Sequence, residues 1–125
     1  MHHHAIRIHA FGGPENLRWE RLARTPPGPG EVQIEHHAIG LNYIDVYHRT
    51  GLYPLELPLT LGLEAAGEVC ALGEGVTDLH IGDRVAYASL PLGAYAEVRN
   101  LAADRVVKLP DGIASDQAAA MMLQG

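Results

Sequence analysis

Glycine and proline occur along this chain at intervals too short for long helices or strands. Fourteen glycines and eight prolines are spread over 125 residues, a share well above that of an average domain. Clusters at 11–14, 25–30 and 73–75 mark turns or loops, because both residue types favour turn geometry. The chain is therefore predicted to fold as one domain of many short elements, and its hydrophobic content of 47% suffices for a core.

Seven short segments have the features of strands. The clearest is 32–38, where the even positions from Val32 to Ala38 alternate with polar residues at the odd positions, as in a half-buried strand. The other predicted strands are 6–10, 17–20, 63–72, 84–87, 95–98 and 106–109. Together with one or two short helices, they predict a mainly β domain of the barrel or sandwich type.

Two segments favour helices. Residues 42–49 form a short amphipathic stretch that Gly51 would end. Near the C-terminus, Ser115 can cap the start of a second helix, which the strong helix formers would continue to Leu123. That second helix is apolar nearly all round, so it is expected to need cover on several sides.

Charge and cysteine content exclude several classes of protein. The net charge is −6 and Lys108 is the only lysine, so the sequence predicts neither a nucleic-acid partner nor an acidic membrane surface. No apolar run approaches the roughly 18 residues that a membrane helix needs. Cys70 is the only cysteine, which excludes an internal disulfide and a cysteine-rich zinc site. With no recognisable signal peptide, we expect a cytoplasmic protein.

Neither a metal site nor a phosphate loop is predicted from local motifs. His36 and His37 are adjacent on a predicted strand, so their side chains should point to opposite faces and cannot easily share a metal. The segment that begins at Gly73 matches only the start of a G-x-G-x-x-G motif, because Asp78 stands at the third glycine position. A turn is the better interpretation.

Two features remain as candidates for function. Polar and aromatic side chains are concentrated between Asn42 and Tyr53, which indicates either the solvated face of a helix or the rim of a pocket for a small planar ligand. Glu64 lies in an apolar strand, where a carboxylate needs a partner. It could form a buried structural ion pair or lie near a reactive centre.

A series of motifs runs through the chain in a fixed order. It comprises Gly40-Leu41-Asn42-Tyr43-Ile44-Asp45, Gly51-Leu52-Tyr53-Pro54, Gly62-Leu63-Glu64-Ala65-Ala66-Gly67, Gly82-Asp83-Arg84-Val85, Gly93-Ala94-Tyr95-Ala96-Glu97 and Lys108-Leu109-Pro110-Asp111. From about residue 5 to its end, the chain resembles the N-terminal domain of the medium-chain dehydrogenase/reductase superfamily. Within that superfamily it is most similar to the quinone oxidoreductases of the ζ-crystallin-like branch.

The chain departs from the zinc-dependent members of that superfamily at their ligand positions. Where they have a zinc-binding cysteine this chain has Asn42, and where they have a histidine it has Leu63. Their four-cysteine lobe is also missing after the strand that begins at Arg84. The resemblance therefore implies an enzyme without zinc.

The resemblance implies a fold and a domain boundary. Residues 1–125 would form a GroES-like N-terminal catalytic domain, a partly open β-barrel with short helices. It would end at the junction to a Rossmann domain that is absent from the chain, so the chain alone is expected to be inactive.

The resemblance also implies a reaction and its residues. NADPH would transfer a hydride to a quinone or an enone, and without zinc the developing charge on oxygen would be met by hydrogen-bond donors. Asn42, Tyr47 and Tyr53 are the expected catalytic residues. The cofactor-binding residues would be Asn42, Tyr43, Ile44, Asp45 and Val46.

Two alternatives to quinone reduction stay open, and one of them is not an enzyme. On the same scaffold the protein could be an enoyl or alkenal reductase that reduces carbon–carbon double bonds, with Tyr47 as a proton donor. A GroES-like oligomeric binding module is the non-enzyme alternative.

The full-length enzyme would be a homodimer.

Overall fold

The chain folds into two antiparallel sheets and a short helix. The computed structural model describes residues 2–52, 55–88, 91–110, 112–114, 117 and 119. Its elements are β1 (His2–Ile8), β2 (Arg18–Ala23), β3 (Glu31–Gly40), α1 (Tyr43–Thr50), β4 (Leu59–Thr60), β5 (Glu64–Leu72), β6 (Arg84–Ala88), β7 (Val98–Ala102) and β8 (Val107–Lys108), with 3-10 turns at Pro14–Asn16 and Ala103–Arg105. The expectation of a mainly β domain is confirmed.

Strand order follows chain order only in part. The smaller sheet has the order β2-β1-β4, and the larger has the order β7-β3-β5-β6-β8. An isolated bridge between Ala5 and Ala96 connects β1 with the segment that leads into β7. The two sheets are therefore joined through residues 91–97, and this segment also reaches the helix.

The core lies on the inner face of the larger sheet. Its buried members come from β3, β5, β6 and β7 and from the loops beside them: Val32, Ile34, Ala65, Val69, Leu79, Val85, Tyr87, Ala94 and Leu101. β-branched residues are frequent in this cluster, as is usual where side chains pack on a pleated surface. The core thus fixes the strands that lead into the helix and its neighbouring loops.

Gly67 allows β5 to approach β3 closely, as its position in a strand predicts. A Cβ atom built on Gly67 would overlap the main-chain carbonyl oxygen of Glu35. The register between β3 and β5 also shifts between His36 and Ala38. A larger residue at position 67 would push two paired backbones apart.

Strand boundaries near residue 95 differ from the prediction. The sequence predicted a strand at 95–98, whereas β7 begins at Val98 and continues to Ala102. Residues before it make irregular hydrogen bonds instead: the N–H of Tyr95 donates to Leu61 O at 2.8 Å, and the N–H of Glu97 donates to His4 O at 2.9 Å. Contacts with distant segments thus override the local strand preference.

Gln33 breaks the expected alternation of β3. Its side chain is buried at 5% exposure, although the pattern predicts an outward polar residue. The amide donates to Thr25 O at 2.7 Å and to Asn100 Oδ1 at 3.0 Å, and it accepts from Arg24 Nε at 2.8 Å. Because these partners satisfy its polar atoms, the burial costs little.

The helix predicted at 42–49 is confirmed as α1. Of the second predicted helix, Gln117 and Ala119 are helical, and the rest of that prediction lies outside the described residues. In the described part of the chain, no helix is long and apolar enough to cross a bilayer.

Candidate functional site

The candidate site is built around the first turn of α1. Asn42 precedes the helix in an extended conformation, with φ −134° and ψ 154°. Its main-chain N–H donates to Asp45 Oδ2 at 3.1 Å, which is half of a capping box between the N-cap and the third helical residue. Since β3 ends at Gly40, the helix starts almost directly from a strand of the larger sheet.

Glu64 fixes the side chain of Asn42. Asn42 Nδ2 donates to Glu64 Oε1 at 3.1 Å, and Glu64 is only 1% exposed at the start of β5. A buried carboxylate needs such donors. Glu64 lies against Gly40, because a Cβ atom built on Gly40 would overlap Glu64 Oε1 and would lie 2.7 Å from Ala119 O. Glu64 thus acts on the candidate site through Asn42. The sequence left open a structural ion pair or a place near a reactive centre for Glu64, but it did not predict Asn42 as the partner.

Tyr95 makes a second connection to the same turn. Its hydroxyl donates to Asp45 Oδ2 at 2.6 Å, while Asp45 is 4% exposed. Burial, the hydrogen bond to Asp45 and the charge of that carboxylate raise the pKa of Tyr95, and the charge of Arg49 opposes them. The hydroxyl therefore keeps its proton and acts as a donor.

One face of α1, together with Leu41 just before the helix, presents aromatic and apolar side chains to the outside. Leu41 is 78% exposed, Tyr43 84% and Tyr47 41%. A cavity of about 300 Å³ is lined by Leu41, Asn42, Tyr43 and Val46. Exposed aromatic and apolar side chains that line a depression make this surface a candidate binding site.

The structure brings together only some of the residues predicted for the site. Asn42, Tyr43 and Val46 line the cavity beside α1, whereas Ile44 and Asp45 do not. Tyr47 lies further along the helix and is half-exposed. Tyr53 lies outside the described residues.

The helix ends at Gly51, as predicted, and the chain turns there. Gly51 has φ +86°, and a Cβ atom there would lie 2.9 Å from Cγ of Phe11. Its N–H and that of Leu52 both donate to Tyr47 O, at 3.1 and 3.0 Å. This left-handed residue ends the helix and redirects the chain.

A larger cavity of about 410 Å³ lies between β1, β2 and β3. Its lining is mainly apolar and includes Tyr95 and Leu41, which also belong to the surroundings of α1: Ile6, Trp19, Glu35, His36, His37, Ala38, Ile39, Leu41, Tyr95, Ala96 and Glu97. Tyr95 therefore stands between this cavity and the first turn of the helix.

Leu63 and Asn42 stand at the two positions that the resemblance compares with zinc ligands. Leu63 has no ligand atom, and the amide of Asn42 is bonded to Glu64. Among the residues that the structure describes, no three His, Cys, Asp or Glu side chains are grouped as metal ligands would be.

His36 is a partly buried residue of β3 with defined partners. Its Nδ1 lies 2.6 Å from Ala96 O, so this nitrogen carries the proton, and Nε2 accepts from the hydroxyl of Tyr87 at 2.9 Å. Burial lowers the pKa of His36 to about 4, against the opposing effect of the bond to Ala96, and the charge of Arg99 lowers it further. The imidazole is therefore neutral near pH 7.

Sequence reasoning did not identify Tyr95 as part of the site. The pattern Asn42-x-x-Asp45 could have revealed the capping interaction, because its spacing is that of a capping box. Nothing local could place Tyr95 beside Asp45, since the two are 50 residues apart in the chain. Only the tertiary fold brings them together.

The family of the chain is shown by comparison with known proteins. Residues 28–111 match the alcohol dehydrogenase GroES-like domain. The chain therefore belongs to this family, and the fold class inferred from its motifs is confirmed.

Similarity to particular proteins is also high. The chain is 54% identical over 121 residues to a quinone oxidoreductase of Pseudomonas aeruginosa, with 96% of this chain and 37% of that protein covered. It is 43% identical over 127 residues to a 2-haloacrylate reductase of a Burkholderia species, with 97% and 38% covered. The crystal structure of Escherichia coli quinone oxidoreductase complexed with NADPH superposes with a TM-score of 0.94 at 47% identity, over 96% of this chain and 37% of that one. The chain thus spans little more than a third of the length of these relatives.

Proposed function

We propose that this chain is the GroES-like part of an NADPH-dependent quinone oxidoreductase. The complete enzyme would transfer a hydride from NADPH to a quinone. The observation that carries the proposal is the first turn of α1, where Asn42 is held by Glu64 beside exposed aromatic side chains. The similarity to quinone oxidoreductases over nearly the whole chain supports it.

The surroundings of α1 suit one side of a planar cofactor ring. Asn42, Tyr43 and Val46 would contact the nicotinamide from the 300 Å³ cavity that they line, with Ile44 and Asp45 supporting the same turn. When bound, NADPH supplies the hydride. The chain's own contribution would be to orient the ring through these contacts and to cover one face of it.

The substrate carbonyl would be met by hydrogen-bond donors. Asn42 carries an amide whose orientation is fixed by Glu64, and Tyr47 carries a hydroxyl on the exposed face of α1. Oriented donors stabilise a developing oxyanion without reorganising in the transition state. We propose the same role for Tyr53 on the basis of the resemblance.

Zinc has no place in this proposal. Asn42 and Leu63 occupy the positions at which zinc-dependent members of the superfamily have their ligands, and a leucine cannot bind a metal. No step of the proposed reaction runs through a metal ion. The negative charge that develops on the substrate oxygen would be stabilised by the hydrogen-bond donors beside α1.

Reduction of a carbon–carbon double bond is the second candidate function. The similarity to a 2-haloacrylate reductase favours it, since an acrylate has such a bond conjugated with its carboxyl group. In this reaction Tyr47 would donate a proton to the carbon skeleton after hydride transfer. The two functions share cofactor and site, and they differ in the electrophile.

We further propose that the complete enzyme is a cytoplasmic homodimer. The free thiol of Cys70 is compatible with a reducing compartment. Sedimentation equilibrium of the full-length protein would give the oligomeric state, and a monomer at assay concentrations would contradict the dimer.

One assay distinguishes the candidate functions. The full-length protein is incubated with NADPH and either a quinone or an enone at equal concentration, and the loss of NADPH absorbance is followed. Faster turnover of the quinone supports the first proposal, and faster turnover of the enone supports the second. If neither substrate is consumed above the rate without protein, both proposals are wrong.

A further inference from the structure

Tyr95 is anchored by its backbone to the framework of the domain. Its N–H donates to Leu61 O at 2.8 Å, and its carbonyl oxygen accepts from the N–H of Ile6 at 2.7 Å. Ile6 belongs to β1 and Leu61 follows β4, so both anchors lie in or beside the smaller sheet. The position of the Tyr95 main chain is therefore independent of α1.

The ring of Tyr95 is also fixed. It lies against Gly62, which has φ +103°, and a Cβ atom at that position would be 2.5 Å from Cδ1 of the ring. Because a side chain at residue 62 would displace the ring, the glycine permits the contact. The hydroxyl is thus held at a defined point on the helix side of the domain.

At this point the hydroxyl meets a single carboxylate oxygen that serves two donors. Asp45 Oδ2 accepts from the Tyr95 hydroxyl at 2.6 Å and from the main-chain N–H of Asn42 at 3.1 Å. The other oxygen, Oδ1, is buried and has no hydrogen-bond partner among the described residues. The orientation of the Asp45 carboxylate is therefore fixed mainly by the two hydrogen bonds to Oδ2.

We propose that Tyr95 is a positioning residue: its hydroxyl, acting through Asp45, sets the orientation of the first turn of α1. Asn42 is held from two sides, through Asp45 at its main chain and through Glu64 at its side chain. This inference rests on the proposed function, since the groups that it orients are those assigned to nicotinamide and substrate.

A positioning role for Tyr95 differs from a purely structural role in its expected effect on turnover. A structural hydrogen bond contributes to stability wherever it lies, whereas a positioning bond changes the placement of the donors in the transition state. Small misplacements of this kind reduce turnover by large factors, even when they originate away from the reacting atoms. Turnover and stability must therefore be measured on the same variants.

The matched pair Tyr95→Phe and Tyr87→Phe makes the test specific. Each variant loses one hydroxyl that donates to a buried group, Asp45 Oδ2 in the first and His36 Nε2 in the second. Tyr87 lies in the core, and its hydroxyl bonds to His36 on β3 and not to the first turn of α1. The Tyr87 variant therefore reports the cost of losing a buried hydroxyl elsewhere in the domain. In the full-length protein we expect Tyr95→Phe to lower kcat about tenfold, and Tyr87→Phe to lower the melting temperature but keep kcat.

A double-mutant cycle tests the route through Asp45. If Tyr95 acts only through this carboxylate, Tyr95→Phe will have no further effect on kcat in an Asp45→Ala background. A full tenfold loss in that background would overturn the route.

A readout without cofactor completes the test. Amide hydrogen exchange at Asn42, measured by NMR, should accelerate in Tyr95→Phe and stay unchanged in Tyr87→Phe. If wild-type protein reduces quinones while Tyr95→Phe retains full kcat and unchanged exchange at Asn42, the positioning role is wrong and the proposed function stands. If wild-type protein shows no turnover, the proposed function fails, and the exchange data alone decide whether Tyr95 orders the turn.

Discussion

Acid should destabilise this domain through one histidine. His36 is neutral in the folded state because its pKa is lowered to about 4, chiefly by burial, from an ordinary value of 6.5. Between these two values the unfolded chain binds more protons than the folded one. The free energy of unfolding should therefore fall as the pH decreases from 6.5 toward 4, and it should gain nothing further from His36 above pH 7.

The size of the effect follows from the two pKa values. A difference of one pKa unit corresponds to about 1.4 kcal/mol. Applied to His36, the linkage relation gives a loss of about 2 kcal/mol between pH 7 and pH 5, and about 3 kcal/mol by pH 4. This is a large part of the stability of an ordinary domain. The charges of Arg99, His3 and His37 are smaller contributions to the same lowered pKa and are already included in it.

Urea unfolding at pH 7, 6 and 5 would measure this loss, with two histidine variants as a pair. His36→Gln removes the titrating group and keeps an acceptor for the hydroxyl of Tyr87, so its stability should depend less on pH by about 2 kcal/mol over this range. His37→Gln changes the neighbouring histidine, whose side chain is 41% exposed and lies 4.0 Å from Glu68. This control should keep most of the pH dependence of the wild type, because the charge of His37 is the smallest of the causes that lower the pKa of His36.

An NMR titration provides the decisive check. The imidazole resonances of His36 should show no midpoint between pH 5.5 and 7.5. A midpoint near 6.5, or a His36→Gln variant that loses as much stability on acidification as the wild type, would refute the reasoning.

Three further predictions concern packing, catalysis and metal content. Gly67→Ala should lower the free energy of unfolding by about 1–3 kcal/mol, because the new methyl group meets a main-chain carbonyl. The control Gly112→Ala, with open space around the new methyl group, should be nearly neutral. Equal midpoints of urea unfolding for the two variants would contradict this prediction. Tyr47→Phe in the full-length enzyme should lower kcat about a hundredfold with little change in melting temperature, and a variant that melts much lower yet keeps full turnover would make Tyr47 structural. Elemental analysis of protein freed of its N-terminal histidines should find no stoichiometric zinc, and one tightly held equivalent per chain would contradict the substitution argument at Asn42 and Leu63.

Local patterns predicted most elements of the fold because they depend on neighbouring residues. Alternation identified β3, and the segment from Asn42 with its terminal Gly51 identified α1 and its end. The strand at 95–98 was misplaced because hydrogen bonds from Tyr95 and Glu97 to distant segments replace strand pairing there. The two-residue strand β4, at Leu59–Thr60, is too short to leave a periodic signal.

The candidate site was predicted less completely than the fold. The stretch around Asn42 stood out through its chemistry, and Glu64 stood out as a charge in an apolar strand. Their mutual hydrogen bond spans 22 residues of sequence, and no spacing rule links positions so far apart. For the same reason the partner of Asp45 could be found only once the sheets had been assembled.

The first turn of α1 has a consequence for the order in which the domain folds. A helix of eight residues is too short to persist in water by itself. Its N-terminal contacts come from Glu64 and Tyr95, which are synthesised after it and join it across loops of 22 and 50 residues. Closing such loops costs entropy before any contact repays it. We therefore expect the geometry that orients Asn42 to form only after Glu64 and Tyr95 have been brought to the helix, so that a nascent or partly unfolded chain has the residues of the site without their arrangement.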